Sequence, residues 1–201
     1  MTLLNWFQLI VLILFYTIFL GRTVLLYRRG ERVLVLGRGK TGLAGMRELV
    51  FIPGLALWSL AVLTRSLGRS GTGVADWLAA DLHCNYLIQI IGVGLITGGL
   101  GIFILALIAF RNSWRIGIDR EAPGVLVTDG IFAVCRNPVF LFMDLYFIGT
   151  WLIYPNWFFL ACAIVFTLGI HWQIRDEEWF LSDHYGAEYR RYLETTPRYL
   201  F

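Results

Sequence analysis

The chain has 201 residues, 58% of them hydrophobic and 15% charged, with a formal net charge of +3. A soluble domain is nearer half apolar and a quarter charged. Here the excess lies in long uninterrupted runs, which excludes a soluble globular domain and points to an integral membrane protein. So small a charge does not suggest nucleic-acid binding, and the three widely spaced cysteines, Cys84, Cys135 and Cys162, fit neither a disulfide framework nor a metal site.

At roughly 20 apolar residues per membrane helix, the chain has room for about five spans and no separate soluble domain. It is therefore read as one domain over residues 1–201, with N-terminal spans in 1–110 and a motif region in 111–201. The first run, Leu3–Tyr27, has no small-residue cleavage site after it and is expected to be a retained span. A basic loop follows, with Arg28, Arg29, Arg32, Arg38, Lys40 and Arg47. Its Gly37-Arg38-Gly39-Lys40-Thr41 resembles half of a phosphate loop, but Leu34 stands where the first glycine is needed, so a basic turn near anionic lipid is the better account.

The second span, Leu49–Leu63, contains Pro53-Gly54 and is predicted to be kinked. The third, Leu87–Phe110, carries Gly92, Gly94, Gly98, Gly99 and Gly101, which predicts close approach of a neighbouring helix. A second basic segment, Arg111–Arg136, leads into the fourth span, Pro138–Ile153. Tyr154-Pro155-Asn156 then turns the chain into the fifth, Trp157–Trp172, so that the last two spans form a helical hairpin. The tail from Gln173 to Phe201 has the spacing of an amphipathic helix. Basic residues gather after spans one, three and five, which predicts an external N-terminus, a cytosolic C-terminus and one cytosolic face shared by both segments flanking the hairpin.

Chemistry concentrates on that face. Arg136 and Asn137 precede Pro138, which has no N–H and restricts the residue before it, so a fixed corner is expected. Arg175-Asp176-Glu177-Glu178 follows span five directly. The two clusters would bracket a pocket suited to a zwitterionic cofactor with a base that stacks. Asp144, inside the fourth span, is an ionisable group where such groups are costly. His83 with Cys84, His171 and His184 lack ligand spacing, so no metal site is expected, and no GxGxxG follows a strand.

Taken together, Leu126-Val127-Thr128-Asp129-Gly130-Ile131-Phe132, Arg136-Asn137-Pro138-Val139-Phe140, Glu177-Glu178 with Leu181, Tyr185-Gly186 with Tyr189 and Tyr192, and Pro197-Arg198 resemble a known pattern. It is that of the isoprenylcysteine carboxyl methyltransferases and related phospholipid methyltransferases. The resemblance implies an all-α membrane enzyme in which S-adenosylmethionine sits in a cytosol-facing cavity closed by the C-terminal helix. Matched by position, it places cofactor contacts on Gly124, Leu126, Val127, Phe132, Asn137, Pro138, Phe140 and Glu177. Glu177 would meet the cofactor ammonium, Asn137 its carboxylate, and Phe132 or Phe140 its adenine or sulfonium. Arg136, Arg175 and Glu178 are the candidates at the reacting end, with Arg136 shaping the corner and Arg175 orienting a lipophilic carboxylate, thiol or amine acceptor that enters from the bilayer. Asn137 and Gln173 replace a histidine and an arginine of the prenylcysteine enzymes, which counts against that particular acceptor. The same architecture resembles that of membrane sterol reductases, so an NADPH-dependent reductase is the alternative, with a non-catalytic membrane scaffold behind it.

Overall fold

The computed structural model describes residues 1–30, 43–68, 82, 85–110 and 125–200. Within them the chain is all helical. The α-helices are α1 (Leu3–Arg28), α2 (Leu43–Ser66), α3 (Tyr86–Phe110), α4 (Pro138–Ile153), α5 (Trp157–Tyr185) and α6 (Ala187–Thr195). A 3-10 turn, Gly130–Ala133, precedes α4. No strand is present among the described residues. Three helices, α1, α3 and α5, are long and apolar enough to cross a membrane, and Val50–Ser66 and Pro138–Ile153 are shorter apolar helices.

Helix ends follow from local chemistry. Thr2 caps α1 by accepting a hydrogen bond from the Asn5 N–H at 3.3 Å. Pro138 occupies the first turn of α4, where its missing N–H costs nothing. Asn156 caps α5 through Oδ1, which accepts from the Phe159 N–H at 2.9 Å. α5 stops at Gly186, whose φ of 57° lies in the left-handed region that a side chain disfavours.

α4 is the interior helix. It buries Leu141, Phe142, Tyr146, Phe147 and Ile153, and all the exposed large apolar side chains of the spans lie on other helices, such as Ile13 on α1, Ile91 and Ile108 on α3 and Val165 on α5. A helix screened from lipid by its neighbours has no need to match the bilayer, and the 16 residues of α4 give only about 24 Å against a hydrocarbon core of roughly 30 Å. Around it runs an aromatic core. Phe103 stacks on Phe142 at 4.8 Å, Phe147 on Phe166 at 4.4 Å, and Trp58 meets Tyr146 edge-on at 5.0 Å.

The most extensive helix contact joins α3 to α4, and glycine makes it. A Cβ on Gly92 would lie 2.7 Å from the Gly149 carbonyl oxygen, and one on Gly99 would lie 3.2 Å from Leu145 Cβ. Gly94, Gly98 and Gly101 face open space. The expected close approach is therefore carried by two of the five glycines in α3, together with Gly149 of α4.

The C-terminal region departs from expectation. The helix of span five does not stop at Trp172; α5 continues unbroken for 29 residues, about 43 Å. No glycine or proline interrupts Gln173–Tyr185, and Glu, Trp and Leu there favour continued helix. The tail is accordingly not one amphipathic helix. It is the projecting end of α5, then the short α6, then a bent strap, Thr196–Tyr199.

Candidate active site

The corner before α4 begins with Gly130, whose φ of 61° turns the extended chain into the 3-10 turn. That turn buries Phe132 edge-on against Phe110 at 4.7 Å. Asn137 then stands at the start of α4 without capping it; its Nδ2 instead donates to the Arg198 carbonyl at 3.3 Å. The strap is stitched to the corner along its length. The Arg136 N–H donates to the Pro197 carbonyl at 3.1 Å, and the Thr196 hydroxyl to the Ala133 carbonyl at 3.3 Å. From α6 the Tyr192 hydroxyl donates to the Phe132 carbonyl at 2.6 Å. Backbone groups that would otherwise be stranded in a tight turn are thereby satisfied from the far end of the chain.

Glu178 lies at the centre. Arg198 approaches it with both prongs, Nη2 to Oε2 at 2.6 Å and Nε to Oε1 at 3.2 Å. Arg136 Nη2 reaches Oε1 at 3.2 Å. The Arg136 and Glu178 side chains are only 10% and 13% exposed, whereas Arg198 is 37% exposed. One carboxylate thus joins the corner, the end of α5 and the strap. The bond to Glu178 holds the Arg198 guanidinium above its ordinary pKa. Beside the clamp α6 buries Tyr189, whose hydroxyl is pushed well up by burial and then by the Glu178 charge. Burial also raises the Cys135 thiol, against smaller opposing effects of a backbone hydrogen bond and Arg136.

The two charged clusters do meet, but through Arg136 and Glu178. Arg175 is exposed. Glu177, half-buried, accepts from Gln173 Nε2 at 3.0 Å. Phe132 and Pro138 are buried, and Leu126, Val127, Asn137 and Phe140 are half-buried around the corner. Gly124 lies outside the described residues. A buried donor remains: Arg136 Nε has no hydrogen-bond partner among the described residues.

One layer deeper, Asp144 on α4 accepts from the Tyr199 hydroxyl at 2.5 Å, and His171 Nδ1 of α5 lies 3.9 Å from the same carboxylate oxygen. Sequence reading singled out Asp144 but named neither partner. It also gave Arg198 no role beyond ending a motif. The available signal was a cation and an aromatic directly behind Pro197, since neither is needed to end a helix.

No metal-binding group of His, Cys, Asp or Glu occurs among the described residues. No curated protein and no solved structure matches the chain. A family model does. It covers α3, the corner with Arg136, α4 and α5 with Glu178, and stops before the strap. That model, described as phospholipid methyltransferase, matches residues 87–188, half of the chain, and the protein belongs to the phospholipid methyltransferase family.

Proposed function

We propose that this chain transfers a methyl group from S-adenosylmethionine to a lipophilic acceptor in the membrane, at the junction of the α4 corner, the end of α5 and the strap. The observation that carries this reading is the joining of Arg136 and Glu178, both within the matched stretch, by a nearly buried ion pair beside an unsatisfied arginine nitrogen. The donor set suits a zwitterionic group: guanidinium N–H and an amide for a carboxylate, paired acids for an ammonium, aromatic rings for a base.

Arg136 Nε, with Asn137 beside it, would hold the cofactor carboxylate. Glu177 would take the ammonium, since the Glu178 charge is already shared by two arginines. Phe132 and Phe140 would flank the adenine or sulfonium, and Gly124, Leu126, Val127 and Pro138 would form the wall. When bound, S-adenosylmethionine supplies an electrophilic methyl carbon on sulfur. The protein's share is alignment, and holding reactants in attack geometry is worth about 7–11 kcal/mol of barrier. Exposed Arg175 would steer the acceptor's polar head at the bilayer surface. Five spans with the N-terminus outside and the site cytosolic follow from the alternation of basic residues with apolar runs.

Titration of the purified chain with S-adenosylhomocysteine and with NADPH tests this reading. Binding of the first alone is expected. Binding of NADPH alone would make the chain a reductase, and binding of neither a scaffold.

A further inference from the structure

The polar layer beneath the clamp lies outside the residues proposed above for the cofactor, and its chemistry is that of a proton acceptor. His171 Nδ1 lies 3.1 Å from the Thr167 carbonyl oxygen, a geometry in which the neutral ring donates its Nδ1 proton and keeps the lone pair on Nε2. Asp144 Oδ2 stands 3.9 Å from that same Nδ1 and is itself held by the Tyr199 hydroxyl. The Tyr199 ring meets the imidazole edge-on at 5.6 Å. Asp144 is nearly buried, while the His171 side chain is 43% exposed, so the carboxylate is fixed and the imidazole is reachable.

Position strengthens the case. His171 precedes Glu178 by seven residues on α5, and Asp144 follows Asn137 by seven on α4. Both intervals are two helical turns, about 10 Å. Arg198 at the clamp and Tyr199 at this layer are consecutive residues of one strap. The imidazole therefore lies directly below the clamp, on the side from which a membrane acceptor arrives.

We propose that His171 is the base that removes a proton from the acceptor's head group, with Asp144 and Tyr199 as positioning residues that hold its tautomer; this rests on the methyltransferase reading above. For an ammonium head, the N–H proton passes to Nε2, and the freed nitrogen lone pair forms the new N–C bond. The methyl–sulfur bond breaks with its electron pair left on sulfur, and the imidazolium returns its proton to water. The charged and titratable groups facing the ring are Asp144 from α4, Tyr199 from the strap and, one turn on in α5, Arg175.

The test uses the full chain in lipid nanodiscs, with a two-chain amphiphile bearing a primary amine as acceptor. His171→Asn should slow methyl transfer at pH 7 by about 10²–10⁴-fold and leave S-adenosylhomocysteine affinity within twofold. The deficit should shrink as pH rises towards the amine's own pKa near ~10, where solvent supplies the free base. Asp144→Asn and Tyr199→Phe should show smaller deficits with the same pH trend. In the unliganded wild-type protein, nitrogen NMR of His171 should show the proton on Nδ1. Turnover within threefold of wild type, a deficit that is flat with pH, a parallel loss of cofactor affinity, or a proton resting on Nε2 would each overturn the assignment. A wild-type chain that binds S-adenosylhomocysteine but methylates no amine removes the base and leaves the cofactor site standing. One that binds none removes the methyltransferase reading itself.

Discussion

Glu178→Gln separates the contributions of the two arginines that share one carboxylate. The substitution keeps the size and one acceptor oxygen but removes the charge. Arg136, 10% exposed, is then left facing a neutral amide, and its Nε already lacks a partner among the described residues. Removing one partner of a buried ion pair costs about 3–5 kcal/mol. The amide oxygen still accepts one bond, which brings the expected loss to about 2–4 kcal/mol. Arg198→Ala should behave differently despite the shorter 2.6 Å contact. Its side chain is 37% exposed, water screens the pair, and Glu178 keeps Arg136, so about 0.2–1 kcal/mol is expected. Thermal unfolding in detergent, followed by tryptophan fluorescence, measures both. An Arg198→Ala loss equal to or larger than that of Glu178→Gln would refute the argument that burial, rather than contact length, sets the strength of this clamp.

Other substitutions probe the packing and the division of roles. Gly149→Ala would bring its Cβ to 2.5 Å from Ile96 Cγ1 and should lower stability by about 1–3 kcal/mol, whereas Gly94→Ala, in open space, should not; equal effects would dismiss the close α3–α4 approach. Glu177→Gln should weaken S-adenosylhomocysteine binding by about 1.5–3 kcal/mol, and Arg175→Lys should slow methyl transfer with that affinity unchanged. The reverse pattern in calorimetry and turnover would exchange their roles. Reporters fused after Phe201 and inserted at Gly71, which lies outside the described residues, should read cytosolic and external respectively, and the opposite readings would invert the orientation.

The sequence was most legible where apolar runs meet proline. Pro138 and Pro155 bound α4 and the hairpin turn, and both ends of α4 fall where hydropathy places them. The length of α5 was hidden because hydropathy reports the solvent a helix lies in, not whether its backbone continues. Arg175–Glu178 is polar and helical at once. Glycines in α3 announced close packing, yet only the facing surface of α4 decides which of them matter, and a single sequence does not print that surface. The corner and the acidic cluster were both visible, but their direct union was not. Arg136 reaches Glu178 directly, and the second arginine on that carboxylate, Arg198, lies 20 residues beyond it and outside any periodic pattern.

The strap gives the molecule an order of events. Chains are made from the N-terminus and begin to organise as they emerge, so α1 to α5 are synthesised before Thr196–Tyr199 exists. Removing that strap would leave Glu178 with Arg136 but without Arg198, and Asp144 without Tyr199. Helix packing alone would then hold the bundle. Such a chain would still pack its helices, yet carry an unlatched corner.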